Sequence, residues 1–205
     1  MSGVDVTALF LGLVSGRRGH FRLESGHHGR LWFDLDPLFA EPRRVEPFVG
    51  ALSASLRPYE VGAVCGPLLG GAFLAQLVAH ALGADFCFTE RVNAPQADEL
   101  YGASYRLPAA LRARVEGKRV AVVDDVMSAG SSLRATYEEL QAHGATVVAA
   151  GALLVLGSRG ADFFAGHAVA VEAVARDDYQ TWEPHVCPLC ANGVPLEDVA
   201  APGVY

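Results

Sequence analysis

Hydrophobic and polar residues follow two different patterns, one before and one after Val61. In the first part, polar and apolar residues alternate over 20–24 and 30–34, on either side of a Ser-Gly-His-His-Gly turn at 25–29. Alternation on both sides of a glycine-containing turn predicts a β-hairpin. The other elements expected in this part are helices over 4–14 and 37–55 and a basic, Gly-rich turn over 16–19.

From Val61 onward, short apolar runs alternate with longer segments of helical periodicity. Short apolar runs bounded by turn residues are typical of buried strands. Strands that alternate with helices imply right-handed crossovers, so the predicted fold class is α/β, a mostly parallel sheet flanked by helices. Strands are expected over 61–65, 84–89, 119–123, 146–156 and 168–174, loops or turns over 66–71, 93–103 and 124–132, and helices up to 82 and over 133–143.

Length and composition fit a folded chain with a sizeable core. The chain has 205 residues, of which 51% are hydrophobic. The pattern divides it into an N-terminal helix and hairpin (1–58), an α/β core (59–177) and a Pro-rich C-terminal tail (178–205).

Charge and the length of the apolar runs argue against several classes of function. The net charge of −7 does not suit a general nucleic-acid binder, which usually presents a basic face. No apolar run approaches the roughly 20 residues of a membrane span, and the N-terminus lacks the pattern of a secretory signal. We therefore expect a cytoplasmic protein without nucleic-acid or membrane partners.

The most informative segment is 119–133, where a buried strand runs into two acids, a bend of small residues and a helix. Free amides at a helix start, together with the helix dipole, favour a phosphate. Asp124 and Asp125 would repel phosphate but suit sugar hydroxyls, which donate hydrogen bonds to carboxylates. The segment therefore predicts a site for a 5-phosphorylated ribose, although two acids could simply cap the helix. The small residues of the bend are Ser128, Ala129, Gly130, Ser131 and Ser132.

This segment resembles the signature for 5-phosphoribosyl 1-pyrophosphate (PRPP) of the type I phosphoribosyltransferases. Its hydroxyl–Ala–Gly–hydroxyl bend is similar to the version found in orotate phosphoribosyltransferases. The resemblance implies the fold of that family, with a small N-terminal hood over the base, and Asp124 and Asp125 as the catalytic acids. It also implies Mg²⁺ bound with PRPP, and a homodimer.

Further segments resemble the same family and supply candidate binding residues. The hairpin over 21–34 is similar to the hood, with Ser25 as a matching position, and Arg91 follows a strand where the family has a cation for PRPP. Arg159 lies in a segment that resembles the one pairing with the orotate carboxylate, and an arginine fork suits a planar carboxylate. The glycine-rich segment implied to hold pyrophosphate contains Gly66, Pro67, Gly70 and Gly71.

Two departures from the family pattern leave the acceptor base open. Glu24 stands where the family usually has lysine, and the 93–103 segment contains Asp98 and Glu99 but no cation. A leaving pyrophosphate needs counter-charge in the transition state. Three hypotheses follow: an orotate phosphoribosyltransferase, a phosphoribosyltransferase for another base, or a homologue that senses PRPP or nucleotides with weak or no turnover.

The four cysteines fall into two pairs. Cys65 and Cys87 lie in apolar runs and are expected to be small buried hydrophobes. Cys187 and Cys190 form a single CxxC, which is half of a four-ligand zinc site, and His185 could be a third ligand. The sequence favours packing of the tail on the body over zinc at His185, Cys187 and Cys190.

All three functional hypotheses predict the same result for Asp125→Asn. Loss of one carboxylate that accepts hydrogen bonds from ribose should weaken PRPP binding by roughly tenfold or more. Isothermal titration calorimetry with PRPP and Mg²⁺ would measure the effect. A variant that binds PRPP as tightly as the wild type would show that the site has been assigned to the wrong residues.

Overall fold

The computed structural model describes residues 5–14, 16–93 and 100–199 of the chain. Its α-helices are α1 (Val6–Leu13), α2 (Asp36–Phe39), α3 (Pro42–Leu56), α4 (Gly70–Leu82), α5 (Ser131–Ala142), α6 (Arg159–Gly166) and α7 (Pro188–Ala191). Its strands are β1 (Gly16–Arg22), β2 (His28–Phe33), β3 (Ala63–Pro67), β4 (Asp85–Asn93), β5 (Ser104–Arg106), β6 (Arg119–Met127), β7 (Thr146–Leu156), β8 (Ala170–Asp177), β9 (Thr181–Trp182) and β10 (Glu197–Asp198). None of the helices in these ranges combines the length and the apolar character needed to span a membrane.

The larger sheet has six strands in the order β5-β4-β3-β6-β7-β8. All neighbours are parallel except β4 and β5, which are antiparallel. The expected α/β class with a mostly parallel sheet is therefore confirmed. Cys65 and Cys87 face each other on neighbouring strands and are fully buried, as expected of small hydrophobes.

Helices cover both faces of this sheet, which explains why its strands are nearly continuous apolar runs. Along β6, Ala121 and Val123 pack on one face and Val120 and Val122 on the other. The first face is covered by α1, α3 and α4, and the second by α5 and α6. Because side chains on both faces of β6 are buried, packing constrains where this strand ends at the edge of the core.

The smaller sheet has four strands in the order β10-β1-β2-β9. It therefore pairs β1 and β2 from the N-terminal part of the chain with β9 and β10 from the C-terminal part. Its centre is the expected hairpin of β1 and β2. The tail packs on the body, as expected, by adding one strand to each edge of this hairpin. A partly buried ion pair between Arg22 and Asp198, 2.7 Å apart, supports the pairing of β1 with β10.

Several predicted boundaries were wrong for identifiable reasons. Residues 16–19 belong to β1 rather than to a turn, because they pair with the end of β2. The helix expected over 37–55 is two helices, since Pro42 starts a new one at its first position and cannot continue the previous one. The 124–132 segment is not a turn throughout: β6 continues to Met127, because the long β7 offers it pairing partners.

Candidate active site

A cavity of about 270 Å³ lies between the small sheet and the carboxyl ends of β3, β4 and β6. Ligands of open α/β sheets bind beyond these strand ends. One wall comes from the hairpin and the opposite wall from the parallel sheet. The lining residues are Leu23, Glu24, Leu31 to Leu35, Pro67 to Gly70, Arg91, Tyr105, Asp124 to Val126, Ser128, Ser132, Leu156, Tyr179 and Val199.

Asp124 is buried, and its carboxylate is held by two donors. The Ser132 hydroxyl donates to its Oδ2 over 2.6 Å, and the backbone amide of Asp125 donates to its Oδ1 over 3.0 Å. Burial raises the pKa of Asp124 well above the usual range of an aspartate, and the nearby charge of Asp125 adds to the shift. The two acids therefore form a site whose negative charge calls for a hydroxyl donor or a cation.

Both acids pack against the backbone of the glycine segment. A Cβ on Gly70 would lie 2.7 Å from Oδ2 of Asp125, and a Cβ on Gly71 would lie 2.7 Å from Oδ1 of Asp124. Gly66 makes a similarly close approach, because its Cβ would lie 2.0 Å from the carbonyl oxygen of Gly71. Glycine is thus needed here so that backbone and carboxylates can share the space beside Pro67.

The bend between β6 and α5 presents donors with few internal partners. Gly130 precedes α5 with a φ of 75°, a conformation that favours glycine, and no side chain caps this helix among the described residues. The Ser128 hydroxyl is buried and has no hydrogen-bond partner in the described part of the chain. Ser131 begins α5 and Ala129 is buried behind the bend. A phosphate at this point would satisfy both the hydroxyl and the first amides of the helix.

Glu24 faces the same cavity and contacts two residues of the opposite wall. Tyr105 donates a hydrogen bond to its Oε1 over 2.8 Å, and Arg91 is close enough to attract its charge. Burial raises the pKa of Glu24, while the Tyr105 hydrogen bond and Arg91 partly offset that effect. Burial and the charge of Glu24 also raise the pKa of Tyr105. The carboxylate that departs from the family pattern is thus integrated into the site.

Arg159 lies at the start of α6 and lines a second cavity of about 350 Å³. This cavity shares Ser128, Leu156 and Tyr179 with the first one. The backbone of Arg159 is fixed because Arg134 donates to its carbonyl oxygen over 2.7 Å. Arg159 is exposed and lines the cavity that adjoins the main one.

Ser25 does not line either cavity, although the sequence suggested a binding role. It is buried in the hairpin turn, where its hydroxyl lies 3.2 Å from Nδ1 of His27 and its carbonyl accepts the amide of Tyr101. The ring of Tyr101 in turn lies 4.2 Å from the guanidinium carbon of Arg134. In this structure Ser25 therefore helps to fix the hairpin turn to the core.

Of the other predicted residues, the structure brings together Asp124, Asp125, Pro67, Gly70, Arg91, Ser128 and Ser132 around one cavity. Sequence reasoning missed Tyr105 and Tyr179. Tyr179 reaches the cavity from the chain after β8 and donates to the carbonyl oxygen of Leu31 over 2.5 Å. No motif marks either tyrosine. The acidic residues Asp98 and Glu99 of the 93–103 segment lie outside the described residues.

Comparisons with known proteins agree with this geometry. A family model described as phosphoribosyl transferase domain matches residues 49–188. Among curated relatives, a Thermotoga maritima protein named orotate phosphoribosyltransferase is 32% identical over 186 residues, which cover 91% of this chain and 92% of that protein.

Solved structures show the same fold. The orotate phosphoribosyltransferase of Aeropyrum pernix superposes with a TM-score of 0.63 at 24% identity, covering 83% of this chain and 93% of that one. An adenine phosphoribosyltransferase of Rhodothermus marinus gives a TM-score of 0.67 at 21% identity, covering 84% and 98%. The fold is therefore common to proteins named for different bases.

The burial of Glu24 predicts a pH-dependent difference in stability between the wild type and Glu24→Gln. Because the pKa of Glu24 is raised on folding, ionisation opposes folding above the ordinary glutamate pKa of about 4.3. The wild type should therefore lose stability relative to Glu24→Gln as the pH rises above that value toward the raised pKa of the folded state. Urea unfolding at a series of pH values would measure it.

The exposed Glu46 on α3 provides a matched control, since Glu46→Gln removes the same charge away from the cavity. Unfolding free energies of the wild type and Glu24→Gln that run parallel from acid to neutral pH would contradict the prediction.

Proposed function

Because this chain belongs to the phosphoribosyl transferase family and is an enzyme that transfers a phosphoribosyl group, we propose that it transfers this group from PRPP to orotate. The products would be orotidine 5′-monophosphate and pyrophosphate. The observation that carries the proposal is that the acid pair, the hydroxylated bend and the hairpin enclose one cavity. The choice of orotate rests on the curated relatives, which bear that name at about 30% identity over most of the chain.

The cavity supports a definite orientation of PRPP. The 5-phosphate would lie in the bend, where the Ser128 hydroxyl lacks a partner in the described part of the chain and the amides of α5 are uncapped. Asp124 and Asp125 would accept hydrogen bonds from the ribose hydroxyls. The pyrophosphate would lie along the glycine segment over 66–71, with Arg91 beside it.

Mg²⁺ fits this arrangement as a companion of PRPP. Hard cations prefer oxygen ligands and bind through a few carboxylates together with substrate phosphates. Asp124 and Asp125 offer carboxylate oxygens in the cavity, and a bound cation would offset the repulsion from Asp125 that contributes to the raised pKa of Asp124. When bound, the ion would neutralise charge that develops on the leaving pyrophosphate.

Catalysis in this site would consist of positioning and electrostatics, since no protein nucleophile is needed. As the C1–oxygen bond to pyrophosphate loosens, positive charge develops on the ribose, which Asp124 and Asp125 are placed to stabilise. The base nitrogen then attacks C1 from the opposite face. The walls from the hairpin and the sheet would hold base and sugar in line and limit the access of water.

Arg159 is the proposed partner of the orotate carboxylate. Arg159 lines the cavity that adjoins the main one, and its backbone carbonyl accepts a hydrogen bond from Arg134. A guanidinium can donate two parallel hydrogen bonds to a planar carboxylate, which adds orientation to charge attraction.

A second candidate is transfer to a base other than orotate, and Glu24 is the observation that favours it. This partly buried carboxyl lines the cavity, where it would repel an anionic base if ionised. With its raised pKa, the protonated form could instead donate a hydrogen bond to a neutral base. The relatives and Arg159 support orotate more strongly, so this candidate stands second.

We also propose that the enzyme acts as a homodimer. Leu69 and Phe73, at the start of α4 near the cavity, are 55% and 48% exposed, which suits an interface with a second copy. Sedimentation equilibrium at micromolar concentration should give twice the chain mass of 21.6 kDa, and Phe73→Lys should shift it toward one chain. Leu11→Lys, on the exposed side of α1, is the control. A wild type that sediments as a single chain would contradict this proposal.

The proposed acceptor predicts a specific effect of Arg159→Ala. Loss of a charge-assisted hydrogen bond should lower kcat/KM for orotate by about tenfold or more, mainly through KM, while PRPP binding is retained. The measurement is the absorbance change when orotate and PRPP react with Mg²⁺ present, with Arg159→Lys falling between wild type and alanine.

The exposed Arg112, which lines neither cavity, supplies the control variant Arg112→Ala. A panel of purine and pyrimidine bases should be assayed alongside orotate. Turnover of another base with none of orotate would favour the second candidate, and turnover of no base would contradict both.

A further inference from the structure

Two histidine imidazoles and two cysteine thiols lie close together beside the small sheet. They are His20 on β1, His28 on β2, and Cys187 and Cys190 beside and within α7. One donor atom from each lies within 4.8 Å of all the others. In the sequence, His185 was the one further candidate ligand beside the CxxC of the tail, whereas in the structure the CxxC meets two histidines from a segment about 160 residues earlier.

Four of the six donor separations within this cluster are close to those of a tetrahedral zinc ion, and all six are at most 4.8 Å. The Nε2 atom of His20 lies 3.1 Å from Nδ1 of His28 and 3.5 Å and 3.8 Å from the Sγ atoms of Cys187 and Cys190. The Sγ atom of Cys190 lies 3.3 Å from Nδ1 of His28. With zinc about 2.3 Å from sulfur and about 2.0 to 2.1 Å from nitrogen, a tetrahedron spaces its ligand atoms roughly 3.3 to 3.8 Å apart.

The other nitrogen of His20 is held as in a metal-binding histidine. Its Nδ1 lies 2.8 Å from the carbonyl oxygen of Val194. A carbonyl can only accept, so in the neutral ring Nδ1 carries the proton and Nε2 turns its lone pair toward the cluster. Metal-ligating histidines usually donate their other N–H in this way, and the bond fixes both tautomer and ring orientation.

The two cysteines are presented by a compact turn. Cys187 directly precedes α7, and the amide of Ala191 donates to the carbonyl oxygen of Cys187 over 3.2 Å. The amide of Gly193 then donates to the carbonyl oxygen of Cys190 over 2.9 Å. This local bonding turns both thiols to one side without help from a disulfide, since both cysteines are free.

We propose that His20, His28, Cys187 and Cys190 bind one zinc ion in a structural site. Two sulfur and two imidazole donors in a tetrahedral arrangement are typical of zinc. Four protein ligands leave no open position for a substrate, and His20, His28 and Cys187 are buried. The ion therefore belongs to the framework and not to the transfer reaction.

His185 is not part of this set. It is exposed, and its Nδ1 lies 3.6 Å from the Glu183 carboxylate. The proposed set of zinc ligands therefore differs from the set suggested by the sequence, in which His185 was the third ligand.

The position of the site gives the ion a mechanical role. β1 and β2 carry two of the ligands, and the hairpin they form also supplies Glu24 and Trp32 to the wall of the substrate cavity. The tail carries the other two ligands. Zinc would thus fasten the tail to the hairpin and hold the wall that covers the base.

The first test is the metal content of the full-length protein. Protein purified without chelator should contain one zinc per chain by mass spectrometry of the elements. Replacement by Co²⁺ should give the visible absorption bands of tetrahedral cobalt with thiolate ligands, which a hydrogen-bonded cluster without metal cannot produce. Zinc removal by a chelator should lower the melting temperature by roughly 5 °C or more, and added zinc should restore it.

The second test compares ligand variants with a matched histidine. Cys190→Ser and His28→Ala should each lose bound zinc or weaken its binding by about tenfold or more. His185→Ala, from the same tail, should keep one zinc per chain. Cys190 is partly exposed, so its serine variant should still fold even if a variant of a buried ligand does not.

Two results would overturn the proposal. One is wild-type protein that carries no zinc and takes up neither zinc nor cobalt while its thiols are reduced. The other is zinc content that stays at one per chain in Cys190→Ser but is lost in His185→Ala. A disulfide between Cys187 and Cys190 in freshly purified protein, seen as a mass lower by two hydrogens, would likewise count against a metal site.

Discussion

The packing of two carboxylates against bare backbone is the constraint on which the rest of the site depends. Asp124 and Asp125 end a strand that is buried on both faces, and their oxygens occupy the space where side chains on Gly71 and Gly70 would be. Burial raises the pKa of Asp124, the nearby charge of Asp125 raises it further, and the cavity therefore favours a hydroxyl donor or a cation. Ser132 fixes the orientation of the pair.

The opposite wall depends on contacts between distant parts of the chain. The hairpin lies over the cavity because the tail adds a strand to each of its edges and Tyr179 reaches back to the carbonyl of Leu31. The proposed zinc site would bind the same two segments together from the other side. The hairpin that would enclose the base is thus the same segment to which the tail is attached. Loss of the attachment of the tail would therefore alter the shape of the site.

Glu24 shows how an unusual residue can be accommodated without loss of the site. The partly buried carboxyl accepts a hydrogen bond from Tyr105, and this bond and the charge of Arg91 partly offset the effect of burial on its pKa. Arg91 therefore has an acidic neighbour near the proposed pyrophosphate position. With glutamate in place of lysine the cavity carries a different balance of charge, and at the proposed positions both the base and the leaving pyrophosphate would meet this difference.

Local periodicity and residues adjacent in the chain are enough to predict the α/β class, the hairpin, and the segments of acids, glycines and hydroxyls that surround the cavity. The sequence pattern nevertheless places the acids in a turn, because nothing within 124–127 shows that these residues pair with the far end of β7 and so extend β6 to Met127. Tyr105, Tyr179 and the meeting of His20 and His28 with Cys187 and Cys190 carry no local signal. The positions of these side chains follow from the tertiary structure alone, because pairing between distant strands determines which side chains converge.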